Sequence, residues 1–222
     1  MQLINKAQEG VLKIFGQVAD SGQFYLTGGT ALSYFYLHHR KSNDLDFFTS
    51  TEDVILPFSH QFESFLRSKG FECLRQRGLN SFVELNVTIN KEKTLIHLAL
   101  DTPFRFESTI EFPGYPKLRV DNLIDIASNK LLALFGRATL RDFIDIYFLV
   151  KKENFLKNQL IDMAKRKDPG FDLYWLGVAF ERIHVFPPDA ADMLLLIDLI
   201  DFKNLQEFFD EWRMEISKEL KS

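Results

Sequence analysis

One short stretch, residues 24–49, constrains this chain more than any other. Phe24–Thr27 reads as a short strand, Gly28-Gly29-Thr30 as a turn and Ala31–His38 as a helix. Arg40–Asn43 reads as a loop, and Leu45–Thr49 as a second strand with Asp44 at its mouth. Each part has a physical purpose. Two glycines after a strand let the backbone pass close to a phosphate, because no Cβ is in the way. A helix starting at once aims its free N–H groups at the same place, and Thr30 adds a hydroxyl. This predicts a triphosphate cradle, although the GxxxxGK[ST] loop is absent. Asp44 and Asp46 are spaced i, i+2, which puts both on one side of a strand. Two adjacent carboxylates repel unless a divalent cation sits with them, and Mg²⁺ accepts carboxylate and phosphate oxygens together. Such a site stabilises in-line displacement at phosphorus. Each piece alone is weak, since Gly-Gly is usually a plain turn and Asp-x-Asp usually a solvated edge. Their order along the chain is the stronger signal.

The rest of the chain divides by periodicity. Residues 3–19 have helical apolar spacing, and Ile55–Lys69 is a second helix ended by Gly70. Strand-like runs follow at 71–77, 81–89 and 94–100, with turns at Asn80 and Asn90–Lys93. A looser segment, 102–119, carries three prolines. Beyond it the pattern is helical: Asp121 is a candidate N-cap for a helix to about Phe135, and further helices are expected near 139–150, 153–167, 172–181, 188–200 and 204–220. The expected architecture is α/β (α+β): a core with a mixed sheet over residues 1–115, then an all-helical region over 116–222.

Composition closes off several function classes. At 46% hydrophobic, 222 residues bury a real core, and most of the 23 Phe are expected in it. Cys73 is the single cysteine, which excludes an internal disulfide and a cysteine zinc site. No run of about 18 uncharged apolar residues exists, so no membrane span is expected. The start, Met1–Lys6, has no basic stretch ahead of an apolar run, so no signal peptide is expected there and a cytoplasmic protein fits. The net charge of −4 argues against a simple nucleic-acid coat. Residues 130–167 are nonetheless basic and 168–222 acidic. The basic stretch, with Lys151, Lys152, Lys157, Lys165, Arg166 and Lys167, faces either a phosphate backbone or plain solvent.

Gly28-Gly29-Thr30-Ala31-Leu32, Arg40, Ser42 and Asp44-Leu45-Asp46-Phe47 resemble the AbiEii/AbiGii-type nucleotidyltransferases of the polymerase-β-like superfamily. The resemblance continues in Ile124–Leu134, which carries Lys130, and in Arg137 and Arg141-Asp142-Phe143-Ile144-Asp145. It covers about residues 24–150. It implies a polymerase-β-like core and transfer of NMP from an NTP to an acceptor hydroxyl, with Mg²⁺ (or Mn²⁺) held by Asp44 and Asp46. It further implies an RNA acceptor such as a tRNA 3′ end, and a toxin whose antitoxin is encoded nearby and need not touch it. By the same resemblance Gly28, Gly29, Thr30, Arg40, Ser42 and Lys130 bind the nucleotide, and Asp145 orients Lys130 or activates the acceptor hydroxyl.

Lys130 falls one turn after Ile126 and one turn before Leu134, on an apolar helical face. An inward lysine needs an anion, either a triphosphate or Asp145. Asp142, in a first helical turn, is ordinary helix chemistry. Arg141 and Asp145 are spaced to pair. Many polymerase-β-like enzymes carry a third carboxylate on a later strand. Here Leu95–Asp101 has His97 at the inward position, so Asp101 at the strand end is the candidate third catalytic and metal-ligating acid, with Glu84 a weaker one. His38-His39 read as cations at a helix end. Three other classes stay open: transfer to a small molecule or a protein, a nucleotide sensor without turnover, and a toxin acting by binding through its acidic C-terminal helices.

Overall fold

A computed structural model describes residues 2–221; Met1 and Ser222 lie outside the described residues. The chain forms two compact units, Met1–Tyr36 with Lys41–Leu123, and Leu37–Arg40 with Ile124–Ser222. A change of unit falls after Leu123, and a four-residue segment, Leu37–Arg40, belongs with the helices.

The first unit is built on a seven-stranded mixed sheet in the order β3-β4-β5-β2-β1-β7-β6. Its strands are β1 (Tyr25–Thr27), β2 (Asp44–Thr49), β3 (Glu72–Gly78), β4 (Phe82–Ile89), β5 (Glu92–Leu100), β6 (Ile110–Glu111) and β7 (Arg119–Val120). Strand β2 runs parallel to β5, and β1 parallel to β7; the other pairs are antiparallel. Helices α1 (Lys6–Phe15) and α3 (Ile55–Ser68) pack on one face. That face takes Leu45 and Phe47 of β2, Val83, Leu85 and Val87 of β4, and Ile96 and Leu98 of β5, all fully buried. Period-two alternation then turns Asp44, Asp46, Glu84 and His97 to the other face, where they are half-buried. Between sheet and helices the phenylalanines interlock: Phe15 stacks on Phe47 with centroids 3.8 Å apart, and Phe62 meets Phe15 edge-on at 5.2 Å.

Helix α1 starts later than its apolar spacing suggests, because Asn5 caps it. The Asn5 side chain accepts from Gln8 N at 2.9 Å, and Asn5 N donates to Gln8 Oε1 at 3.0 Å. Gln8 Nε2 also donates to Ser42 O at 2.9 Å, clipping the loop before β2 to this helix. The expected helix after the glycine pair is α2 (Gly28–Ala31), which passes directly into a π-helical stretch, Leu32–Leu37.

The second unit consists of α4 (Leu123–Arg137), α5 (Leu140–Lys152), α6 (Lys157–Lys167), α7 (Leu173–Glu181) and α8 (Phe202–Glu219), with short 3₁₀ turns. Phe143, Phe180, Phe209 and Trp212 fill its core; Phe143 meets Phe209 edge-on at 4.8 Å. The helix expected near 188–200 is absent. Only Met193–Leu195 turns, as 3₁₀, and Leu194 and Leu199 are about four-fifths exposed. The backbone here is committed elsewhere: Leu196 bridges Arg40, and Ile197 N donates to His39 O at 2.8 Å. Helix α4 begins at Leu123, so the position before it is Asn122 rather than Asp121. The Asp121 carboxylate accepts from Thr27 Oγ1 at 2.8 Å and from Arg105. No helix among the described residues is long and apolar enough to cross a membrane.

The Phe15–Phe47–Phe62 cluster is the keystone between α1, α3 and β2. Phe62→Ala is expected to cost about 3–5 kcal/mol, the usual range for a buried Phe truncation. Urea unfolding of the variant against the parent chain measures it.

Candidate active site

The geometry of the first unit brings the glycine pair and the Asp-x-Asp pair together. Thr27 lies directly opposite Asp46 in the β1–β2 register. The next residue, Gly28, has φ +73°, a region that side chains other than glycine rarely adopt. A Cβ on Gly28 would collide with Asp46 Oδ2 and lie 3.0 Å from its Cγ. The glycine is therefore required twice, by its backbone angle and by the carboxylate seated against it. Asp44 and Asp46 share the face of β2 away from α1 and α3, with the buried Leu45 between them. Two half-exposed carboxylates on one edge of a glycine cradle form an all-oxygen, anionic donor set. That suits a hard divalent cation such as Mg²⁺.

Asp46 has a second neighbour. In the parallel register of β2 with β5 it faces His97, whose Nδ1 lies 2.7 Å from Asp46 Oδ1. His97 Nε2 lies 3.5 Å from Glu84 Oε2 on β4. The hydrogen bond to Asp46 pushes the His97 pKa up, with partial burial opposing it.

Several residues expected in the site are engaged otherwise. Thr30 is fully buried and its hydroxyl donates to the Asp44 carbonyl, so it ties the cradle to β2 instead of facing solvent. Ser42 is buried, and its carbonyl takes the Gln8 bond. Asp101 is not brought to Asp44 and Asp46. It lies four residues past His97, about 13 Å along an extended strand. Its carboxylate accepts from Tyr25 Oη at 2.5 Å and from Thr102 N at 2.8 Å. The partial burial of Tyr25, together with this bond, raises the phenol pKa beyond the usual range, so Tyr25 stays a donor. Asp101 is thus a strand-end acceptor.

The second unit gathers the later motif residues around one buried carboxylate. Asp145 is fully buried amid three cationic or polar partners. Its Oδ1 accepts from His39 Nε2 and from Arg40 Nε, both at 2.7 Å. Its Oδ2 accepts from Arg40 Nη2 at 2.8 Å and faces Lys130 Nζ at 2.6 Å. Arg40 is therefore bidentate on Asp145, a fork that leaves its guanidinium committed. Burial alone would raise the Asp145 pKa, but Arg40 and Lys130 overcome it and hold the carboxyl well below its ordinary range. A carboxylate so stabilised and so enclosed is a poor proton acceptor, and its short contact with Lys130 fixes the position of that ammonium. Asp142 neighbours the same lysine at 3.7 Å and takes both Arg137 nitrogens, Nε and Nη2, at 2.9 Å. Arg141 Nε lies 3.5 Å from Asp192.

His39 was expected to be a helix-end cation, and the structure corrects this. It is fully buried, and its Nδ1 has no hydrogen-bond partner. Burial lowers its pKa, and the Asp145 bond only partly opposes that. The neutral tautomer with hydrogen on Nε2 satisfies Asp145, and a second proton would be buried without an acceptor. The sign follows: a base whose folded pKa is lowered stabilises the fold above its unfolded value, about 6.5. That stability is lost as pH falls below it. Asp145 adds a further loss only in stronger acid, as pH falls through and below the unfolded carboxylate value. Stability by urea titration is thus expected to decline as pH falls below about 6.5. His39→Gln, which retains an amide donor for Asp145 without a group that charges, is expected to flatten that decline. Asp145→Asn leaves Arg40 and Lys130 uncompensated and should cost about 3–5 kcal/mol at neutral pH. Gly28→Ala is expected to lower urea stability by about 1–2 kcal/mol, the usual cost of a side chain in the left-handed region, and to displace Asp46 from its seat, which would abolish the transfer that the resemblance implies.

Comparison with known proteins identifies the family. The chain is 31% identical over 180 residues to an uncharacterized protein of Aquifex aeolicus, covering 78% of this chain and 79% of that one. Two Helicobacter pylori crystal structures share the fold at 20% identity. One is JHP933, with TM-score 0.58, covering 97% of this chain and 91% of that chain. The other, described as a nucleotidyltransferase, has TM-score 0.61 and covers 97% and 94%. The model of the nucleotidyl transferase AbiEii toxin family, of type IV toxin–antitoxin systems, matches residues 11–220. With nearly its whole length matched, the chain belongs to the AbiEii nucleotidyltransferase toxin family.

Proposed function

We propose that this nucleotidyltransferase moves NMP from a Mg²⁺-bound NTP to a hydroxyl of RNA, such as a tRNA 3′ end, and releases pyrophosphate. The observation that carries this reading is the seating of the Asp46 carboxylate against the Cβ-free Gly28, with Asp44 on the same face of the strand. A triphosphate over Gly28-Gly29 would there lie beside the two carboxylates. Asp44 and Asp46 would hold Mg²⁺, or Mn²⁺ in its place; the ion supplies charge neutralisation at the phosphates. Thr30 fixes the cradle to β2 through its bond to the Asp44 carbonyl. In the second unit Lys130 is aimed by Asp145, and its ammonium supplies positive charge for phosphate.

The family's likeness to enzymes acting on tRNA supports RNA as acceptor, and exposed Lys151 and Lys165 supply favourable surface charge for it. The basic stretch as a whole is less available than its sequence suggests. Lys152 holds Leu37 O and Asp198, Lys157 holds Glu215, and Lys167 holds Asp125 and Asn129. By this reading the cell also carries an antitoxin for this chain, and the reaction takes place in the cytoplasm.

Incubation of the chain with each α-³²P-NTP, Mg²⁺ and total RNA tests the proposal. Label from one nucleotide is expected in an RNA band, and Asp46→Ala should reduce it at least a hundredfold, on the order of the loss of an essential electrostatic group. Tight NTP binding without labelled RNA would instead favour a protein or small-molecule acceptor, or a sensor.

A further inference from the structure

Five residues stand in one cross-strand row of the sheet, with Thr27 at its buried end. Thr27, Asp46, His97, Glu84 and Arg77 lie on β1, β2, β5, β4 and β3, each directly opposite the next in register. His97 sits in this row beside Asp46, where the polymerase-β-like pattern leads one to expect a third carboxylate. It is not built as a ligand. Its Nδ1 faces Asp46 Oδ1 at 2.7 Å, and its Nε2 faces Glu84 Oε2 at 3.5 Å, so both ring nitrogens point at carboxylates. The Phe82 ring lies 5.6 Å from the imidazole. Nitrogen is in any case a poor donor for Mg²⁺, which prefers hard oxygen.

Three carboxylates, Asp44, Asp46 and Glu84, crowd this face. Without a donor between the last two, Asp46 would be free to rotate away from Glu84's charge. Gly28 blocks one side of Asp46 by contact alone, and among the described residues only His97 offers Asp46 Oδ1 a directed hydrogen bond. A carboxylate that binds metal commonly relies on such an outer partner to fix its orientation.

We propose that His97, itself oriented by Glu84, is the positioning residue for Asp46, and that it replaces a third metal-binding carboxylate in this chain. The proposal rests on Asp46 holding the divalent cation. It predicts a two-carboxylate metal site whose affinity depends on an imidazole that does not touch the metal. Asparagine at position 97 presents an amide donor near the place of Nδ1 and should serve in part. Aspartate there would set a third negative charge beside Asp46 with nothing to hold it.

The test uses the full chain as His97→Ala, His97→Asn, His97→Asp, Glu84→Gln and Asp46→Asn. Two readouts are taken: Mn²⁺ binding by electron paramagnetic resonance, and the Mg²⁺ concentration giving half-maximal transfer. Far-ultraviolet circular dichroism and urea midpoints confirm that each variant is folded. His97→Ala is expected to weaken Mn²⁺ binding and raise the half-saturating Mg²⁺ by about 10–100-fold, the range for loss of an outer-shell partner. His97→Asn should recover most of this, Glu84→Gln should show a smaller loss, and the KM for NTP at saturating Mg²⁺ should change little. Parental Mn²⁺ binding in His97→Ala, with binding lost in Asp46→Asn, overturns the positioning role alone. A His97→Asp variant that binds Mn²⁺ as tightly as the parent or more tightly makes position 97 a ligand position and also overturns it. Unchanged binding in Asp46→Asn removes the metal reading beneath it, and the role of His97 with it.

Discussion

The alternation of β2 is the constraint from which the site follows. Leu45, Phe47 and Thr49 are buried on one face, while Asp44 and Asp46 stand on the other. A slip of one residue would bury both acids against α1 and α3 and expose Phe47, the partner of Phe15. The hydrophobic core therefore sets the positions of the carboxylates. Burial of Leu45 and Phe47 supplies the driving force, and the acids between them are carried to the open face at no separate cost. The clip from Gln8 to Ser42 O and the bond from Thr30 to the Asp44 carbonyl hold the entry to this strand from both sides.

Charge is handled differently in the two units. On the open sheet face the acids keep partial exposure, which limits their desolvation and leaves lone pairs for a cation. In the helical unit Asp145 is fully enclosed, and it survives as an anion only because Arg40, Lys130 and His39 saturate both oxygens. Residues 37–40, which precede β2 in sequence, belong to this second unit through that network and through the Arg40–Leu196 bridge. Conformational specificity is the expected product of such a network, since a packing that parts Asp145 from its partners leaves a buried charge uncompensated.

Much of this was legible in the residues. Strand runs with clear period-two burial, β2, β4 and β5, were found within two residues of their ends, because one face is core and the other is not. The glycine pair was recognisable because Gly28 is irreplaceable for both angle and space. The failures have physical reasons. The apolar run 188–200 matched a helix by composition, but its backbone bonds go to residues 39 and 40, a long-range commitment no local pattern records. Asp121 reads as a cap because it precedes a helix, yet α4 starts only at Leu123, and the Asp121 carboxylate also serves Thr27 and Arg105, distant in sequence. His39 reads as a cation at a helix end; its role depends on a carboxylate more than a hundred residues later. The one local hint was its place beside Arg40.

Arg40 and Lys130 show why a motif does not by itself assign a contact. Both are cationic, both match the family pattern, and substrate phosphates offer an obvious use for each. Yet Arg40 is almost wholly buried with its fork on Asp145, so moving it to a phosphate would leave a carboxylate without its strongest partner. Lys130 gives Asp145 a single contact and keeps slight exposure. The bidentate guanidinium has turned its best edge inward, whereas the Lys130 ammonium makes one short contact with Asp145 and lies 3.7 Å from Asp142. Of the two, Arg40 is the one whose fork geometry commits it to the scaffold, and Lys130 is held by a point charge that constrains its direction less.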